Sequence, residues 1–226
     1  MESEHLLKTK MESVGENRLM KSKYSVIVFD LGNVLLNFDY QRVIDGFERV
    51  ESGIGFKFAD YYRQNYDVHR KFERGDYSAK QFTEIMLRLL DDKVGEEQFY
   101  RIYSEIFTPN NELVDVLPVL KEHYKLVIMS NTNSIHYQYG WKDFDFIKHF
   151  DKMILSYQVG AVKPENGIYR AVETYTGAPP SEHFYTDDIL EYVSAARRLG
   201  WDAAQFVDNP RLFSEFEKRG IIFRRE

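Results

Sequence analysis

Residues Tyr24 to Val34 constrain this chain most: the apolar run Val26-Ile27-Val28-Phe29 stops abruptly at Asp30 and continues as Leu31-Gly32-Asn33-Val34. A short β-branched run of this kind reads as a fully buried strand. A carboxylate at its end is either a costly accident or a working group, because burying a charge without a partner is strongly unfavourable. Three later segments have the same form. Lys125 to Met129 ends at Ser130, Met153 to Leu155 leads on to Lys163, and Phe184-Tyr185-Thr186 ends at Asp187-Asp188. In an open α/β sheet the carboxyl ends of parallel strands face one crevice, so these residues are expected to converge.

The rest of the pattern agrees with such a sheet. After residue 108, short β-branched runs alternate with segments of helical periodicity, the βαβ signature. Strands are expected at about 24–30, 125–130, 152–156, 183–187 and 202–207. The clearest helices are 110–123, 164–177 with Pro164 in the first turn, and 189–199 closed by Gly200. Residues 38–108 contain no convincing strand and carry apolar and aromatic side chains at helical spacing: Phe47, Val50, Phe58, Tyr61, Tyr62, Phe72, Phe82, Ile85, Leu89, Phe99 and Ile102. They read as a small helical bundle inserted after the first strand, above the carboxyl ends, as a lid. The expected fold is therefore α/β, a Rossmann-like three-layer core with a central parallel sheet plus an inserted α-helical cap. Residues 23–37 and 109–226 form the core, 38–108 the cap, and 1–22 a flexible leader.

With 226 residues the chain can bury a substantial core. Lys plus Arg number 30 against 36 Asp plus Glu, a net charge of -6, which argues against a nucleic-acid surface, so any anion site must be local. There is no cysteine, which excludes disulfides, thiolate metal sites and a cysteine nucleophile. The polar leader lacks the apolar region of a signal peptide, and no run is long enough to span a bilayer, so a soluble cytoplasmic protein without a membrane partner is expected. Methionines at 1, 11 and 20 leave the true start open, and the leader is expected to fray. A monomer or a homodimer is compatible with the sequence.

Phosphoryl transfer needs a nucleophile, a divalent cation and donors aimed at the oxygens that gain charge. The four strand ends supply one of each. Asp30 can attack phosphorus to give an aspartyl-phosphate. Its second oxygen, the Gly32 carbonyl and Asp188 are hard oxygen ligands suited to Mg²⁺. Asp187 is a direct ligand, a ligand through water, or a group that orients one. Ser130, with the backbone amides after it, and Asn131 can donate to the phosphoryl oxygens, and Lys163 can neutralise both Asp30 and the phosphate. Taken singly, each has an ordinary explanation: a turn-capping aspartate, a serine in a polar turn, a solvated lysine before a proline. Their coincidence at four strand ends does not.

At these residues the chain resembles the haloacid dehalogenase-like superfamily of hydrolases, whose motifs occur in order as Phe29-Asp30-Leu31-Gly32-Asn33-Val34, Met129-Ser130-Asn131-Thr132-Asn133, Val162-Lys163-Pro164 and Tyr185-Thr186-Asp187-Asp188. The resemblance spans residue 24 to the C-terminus, and the inserted helices look like the first type of cap in that superfamily, as in its subfamily I. The Asp-Leu-Gly-Asn-Val form, the Ser-Asn-Thr-Asn form and Phe72-Glu73-Arg74-Gly75 are similar to bacterial phosphatases acting on α-D-glucose 1-phosphate. The resemblance implies a Mg²⁺-dependent phosphatase of a small phosphorylated metabolite such as a sugar phosphate.

One departure stands out. Most phosphatases of this superfamily carry a second aspartate two residues after the nucleophile, and this chain has Gly32. General acid-base help is typically worth ~10²- to 10⁴-fold, so its loss implies slow turnover, a substitute group, or a leaving group that needs little proton assistance, such as an anomeric oxygen. Asp39 and His136 are candidate substitutes. In the cap, Arg74 and His69 are candidates for facing the substrate, against the commoner alternative of a solvated helix end. Trp141, Tyr137 and Tyr139 are candidates for lining the pocket, although such aromatics more often pack. Phosphotransfer between sugar hydroxyls, metal-independent dehalogenation and a binding module that has lost catalysis are the competing readings. The pair Asp187-Asp188 argues against dehalogenation, since acidic groups beside the nucleophile oppose anion binding unless a cation is present.

Overall fold

In the computed structural model of the chain, residues 22–225 are described; most of the leader expected at 1–22, namely residues 1–21, lies outside them. The first strand, β1 (Val26–Phe29), is followed by a short strand β2 (Leu36–Phe38) and then five helices: α1 (Gln41–Val50), α2 (Ile54–Gln64), α3 (Tyr66–Arg74), α4 (Ala79–Leu89) and α5 (Glu96–Ser104). Strand β3 (Phe107–Pro109) closes this block by pairing antiparallel with β2, Leu36 opposite Pro109 and Phe38 opposite Phe107. This two-stranded ribbon corrects the expectation of a strand-free stretch from 38 to 108. Three residues per strand, one of them proline, give too short an alternation to read without the partner.

The chain continues through α6 (Asn111–Val114), α7 (Leu117–His123), β4 (Lys125–Ser130), β5 (Lys152–Leu155), α8 (Ser156–Val159), α9 (Asn166–Thr176), β6 (His183–Asp187), α10 (Leu190–Arg198), β7 (Asp202–Gln205) and α11 (Asn209–Lys218). The helix expected over 110–123 is two helices, because Pro118, at the start of α7, has no N–H to continue the turn before it. Pro164 does not open the next helix as expected. It stands in a turn closed by Glu165 N–H to the Val162 carbonyl, 2.8 Å, and α9 begins at Asn166. Gly200, at φ +91°, follows α10 as expected for a residue that must adopt the left-handed conformation.

All pairings in the main sheet are parallel, in the order β5-β4-β1-β6-β7. Successive residues of β1 face opposite layers. Val26 and Val28 pack with Ile168, Val172, Val193 and Ala196 of α9 and α10, while Ile27 and Phe29 pack with Leu113, Leu117, Leu120, Leu212 and Phe216 of α6, α7 and α11. A sheet covered on both faces explains why its strands read as unbroken apolar runs. The chain leaves β1 toward β4 on one side and β6 on the other, so β1 stands at the topological switch point, where ligands bind such sheets.

The helical block has its own core, in which Phe47, Phe58, Phe72, Phe82 and Phe99 are buried together with Met86 and Tyr103. The remaining apolar positions expected there, Val50, Tyr61, Tyr62, Ile85, Leu89 and Ile102, pack partly buried against it. No helix among the described residues is long and apolar enough to cross a membrane.

Candidate active site

The carboxyl ends of β1, β4 and β6 and the loop before α9 meet at Lys163. Its ammonium lies 2.6 Å from Asp30 Oδ1 and 2.6 Å from Asp187 Oδ2, and all three side chains are buried. Burial works against a charged lysine here, but Asp187 and Asp30 outweigh it and hold the Lys163 pKa above its usual value. Asp30 is pushed up, first by burial and then by the charge on Asp187, because Lys163 is shared. Asp188 is raised as well, by burial and by Asp187, against the hydrogen bond that Asn33 Nδ2 donates to its Oδ2 at 3.1 Å. Asn33 reaches Asp188 from a left-handed backbone, φ +53°.

Carboxylate oxygens of Asp30, Asp187 and Asp188 lie within 4.8 Å of one another. Three carboxylates against one lysine leave an excess of negative charge that a divalent cation would offset, and hard oxygen donors suit Mg²⁺. The donor set therefore fits that ion. Asp187 is already engaged: Oδ2 accepts from Lys163 and from the Tyr185 hydroxyl, and Oδ1 accepts from the Ile189 N–H at 2.8 Å. Asp30 and Asp188 retain free acceptor capacity, so Asp187 fits the orienting role better than direct ligation.

These groups open into a cavity of about 270 Å³ whose wall includes Asp30, Gly32, Ser130, Asn131, Lys163 and Asp188. Ser130 Oγ has only a long contact, 3.4 Å, to the Asn131 carbonyl, which leaves its proton available to an incoming oxygen. The Asn131 side chain is committed elsewhere. Its Oδ1 accepts from Lys163 N–H at 2.7 Å and its Nδ2 donates to the Lys163 carbonyl at 3.2 Å, so it fixes the loop that presents the lysine.

The geometry also accounts for Gly32. A Cβ there would lie 2.9 Å from Phe38 Cε1. Neither expected substitute acid has the required freedom. Asp39 is exposed, accepts from Gln41 N–H at 2.9 Å and does not line the cavity. His136 lines it, but burial and then the neighbouring His69 depress its pKa to about 3. The neutral ring lies 3.2 Å from the Tyr103 carbonyl through Nε2 and 3.2 Å from Asn133 Nδ2 through Nδ1, so its one proton and its one lone pair are both taken.

The cap residues are arranged differently from the expectation. His69 and Arg74 do not line the cavity: His69 is buried against Tyr103 Oη at 3.0 Å, and Arg74 pairs with Glu165 across to the core. Arg74, one turn beyond Arg70 at the helix end, is drawn away to Glu165, and the α3 residues that line the cavity are instead Tyr66, Arg70 and Glu73. These were missed although Glu73 adjoins Arg74 in the sequence; the spacing 66, 70, 73 was the available signal. Arg70 donates to the Lys163 carbonyl, and Ser156 Oγ donates to the Glu73 carbonyl at 2.6 Å. At Gly75, φ +88°, a Cβ would lie 2.5 Å from the Tyr157 carbonyl oxygen, so only glycine permits this approach of cap to core. For Glu73, burial alone would raise the pKa, but His69, Arg70 and Lys163 together bring it below the usual carboxylate value. Trp141 lines the cavity as expected, whereas Tyr137 and the exposed Tyr139 do not.

Residues 24–200 match the family model described as haloacid dehalogenase-like hydrolase. A D-ribitol-5-phosphate phosphatase of Bacteroides thetaiotaomicron is 24% identical over 189 residues, 79% of this chain and 90% of that protein. A phosphorylated carbohydrates phosphatase of Thermotoga maritima is 23% identical over 183 residues, 77% of this chain and 81% of that one. A haloacid dehalogenase family enzyme of Bacteroides thetaiotaomicron, solved in complex with magnesium and inorganic phosphate, superposes with a TM-score of 0.71 at 28% identity, covering 84% of this chain and 99% of that one.

Proposed function

The chain belongs to the haloacid dehalogenase-like hydrolases, and from that premise we propose that it is a Mg²⁺-dependent phosphatase of a sugar or sugar-alcohol phosphate, with residues 38–108 acting as the cap over a core of 23–37 and 109–226. Two relatives that each align over more than three quarters of the chain are a phosphatase of a polyol phosphate and one of phosphorylated carbohydrates, which supports hydrolysis of a phosphorylated metabolite. The observation that carries the reading is the single buried ammonium of Lys163 set 2.6 Å from both Asp30 and Asp187 on the wall of one cavity with Ser130 and Asp188.

Asp30, the Gly32 carbonyl and Asp188 would hold the cation, and a bound Mg²⁺ supplies the charge that lets a phosphate dianion approach a carboxylate nucleophile. An oxygen of Asp30 forms a bond to phosphorus while the ester oxygen leaves with the bonding pair. Water then attacks the aspartyl-phosphate, releasing inorganic phosphate and restoring the carboxylate. Lys163 stays charged and holds Asp30 in place, Ser130 donates to a phosphoryl oxygen, and Asn33 fixes Asp188. No side chain at position 32 protonates the leaving oxygen, so a sugar-alcohol phosphate, which leaves as a strongly basic alkoxide, is expected to turn over more slowly than an ester of an anomeric oxygen such as glucose 1-phosphate.

The test is phosphate release from a panel of sugar, polyol and aryl phosphates with Mg²⁺ and with chelator, beside Asp30→Asn. Turnover is expected to need both the metal and Asp30. Activity that survives chelation, or survives in Asp30→Asn, would sink the mechanism.

A further inference from the structure

Three buried side-chain atoms among the described residues have no hydrogen-bond partner, and two of the residues concerned, Glu73 and Trp141, line the same cavity as Asp30. The orphaned atoms are Glu73 Oε2 and Trp141 Nε1. Buried polar atoms are nearly always paired, so two orphans carried by residues of one cavity wall point to bonding that a ligand could complete as the side chains adjust to it.

Glu73 is held firmly around its free oxygen. Its backbone carbonyl accepts from Ser156 Oγ at 2.6 Å, and its Oε1 lies 3.5 Å from His69 Nε2. Arg70 Nη1 lies 3.6 Å from Oε2, close enough to balance charge but too far to hydrogen-bond. The carboxylate thus needs a donor. An indole N–H can only donate, so Trp141 needs an acceptor.

Those two needs sort the chemistry of a phosphate ester's other half. A carboxylate there would suit Trp141 but meet Glu73 in a cavity that already contains Asp30 and Asp188. An ammonium would suit Glu73 but give Trp141 nothing. A hydroxyl both donates and accepts, so a chain or ring with several of them serves both sites. We propose that Glu73 and Trp141 read the leaving group as a neutral polyhydroxyl unit, Glu73 accepting from one hydroxyl and Trp141 donating to a hydroxyl oxygen. This specificity device rests on the phosphatase reading and deepens it: the acidic residue that selects the substrate comes from the cap helix α3, apart from the phosphoryl site on the strand ends.

The test uses the full chain with Mg²⁺ and three substrates: a pentitol phosphate, 2-phosphoglycolate, and p-nitrophenyl phosphate, whose leaving group offers no aliphatic hydroxyl. Glu73→Leu is expected to lower kcat/KM about 10- to 100-fold more for the pentitol phosphate than for p-nitrophenyl phosphate, mostly through KM. Glu73→Gln, of the same shape, is expected to shift the ratio of phosphoglycolate to pentitol phosphate turnover upward by about tenfold. Trp141→Phe, which keeps an aromatic ring but loses the N–H, is expected to weaken the pentitol phosphate about fivefold more than p-nitrophenyl phosphate. Equal losses on all three substrates, no loss on the pentitol phosphate, or a wild type that prefers phosphoglycolate would overturn the proposal. A wild type inactive on all three, p-nitrophenyl phosphate included, defeats the phosphatase reading itself, and this inference falls with it.

Discussion

The ring of Phe38 stands where a side chain on residue 32 would point: a Cβ on Gly32 would lie 2.9 Å from Phe38 Cε1. Phe38 is itself braced edge-on by Tyr40, with ring centroids 5.3 Å apart, and both residues line the cavity. A side chain on residue 32 and the aromatic ring of Phe38 in the β2 ribbon are thus alternative occupants of one space.

Restoring the missing acid therefore takes two changes. Gly32→Asp alone is expected to destabilise the protein by ~1–3 kcal/mol through overpacking, without faster turnover. Gly32→Asp with Phe38→Ala is expected to recover part of that loss and to raise kcat on alkyl phosphates more than on p-nitrophenyl phosphate. Urea unfolding and steady-state rates with the two ester types check both halves.

Lys163 is the only cation bonded to two buried carboxylates, Asp30 and Asp187, among the described residues. Lys163→Met leaves both without compensation, and a cost of about 3–5 kcal/mol is expected. Because a bound cation offsets the same charge, Mg²⁺ should raise the melting temperature of Lys163→Met more than that of the wild type. Thermal unfolding with and without Mg²⁺ measures this; an equal rise in both would count against a shared electrostatic origin.

His136 makes stability depend on pH with a definite sign. Its folded pKa, about 3, lies below the ordinary value of 6.5, so between these the unfolded chain binds more protons. Stability is therefore complete above pH 6.5 and falls as the pH drops through that window, by on the order of 2 kcal/mol between pH 7 and pH 5 from this group. His183 shifts in the same direction, also through burial. Urea titrations at several pH values should show a shallower acid loss in His136→Gln than in the wild type.

Arg70 joins the cap to the core by donating to the Lys163 carbonyl. Arg70→Met removes that bond, and KM is expected to rise about 3- to 10-fold for every phosphate ester alike. This uniform effect separates Arg70 from Glu73, whose loss should change the ranking of substrates by their leaving groups. Faster amide exchange along α3 in the same variant would register the loosened contact.

The strands that carry Asp30, Ser130 and Asp187 were legible because a sheet covered on both faces writes its strands as apolar runs, and the polar residue ending each run is conspicuous. The strand expected to reach 207 stops at Gln205, and β2 and β3 went unread because three residues carry no period without the partner strand. The bundle was legible from its phenylalanines, such as Phe72 and Phe82, since amphipathic spacing survives in any single sequence. Which cap residues face the cavity was harder. Arg70 and Arg74 lie one turn apart on adjoining positions of α3, and which of them reaches the cavity is set by contacts distant in sequence: Arg74 to Glu165, Ser156 to Glu73 and the Tyr157 backbone to Gly75. The incapacity of His136 was likewise invisible, because it arises from burial against Tyr103 and Asn133 rather than from anything adjacent to it.

The short span of α3 from Arg70 to Gly75 carries the contact to the lysine loop, the free carboxylate oxygen and the glycine that lets cap and core touch. If Glu73 selects the substrate as proposed, the cap's share of substrate preference lies in a stretch of chain apart from Asp30, Ser130, Lys163 and Asp188. If so, a change at position 73 would retarget the enzyme to another metabolite while the flanking Arg70 and Gly75 keep cap and core together and the residues at the strand ends stay as they are.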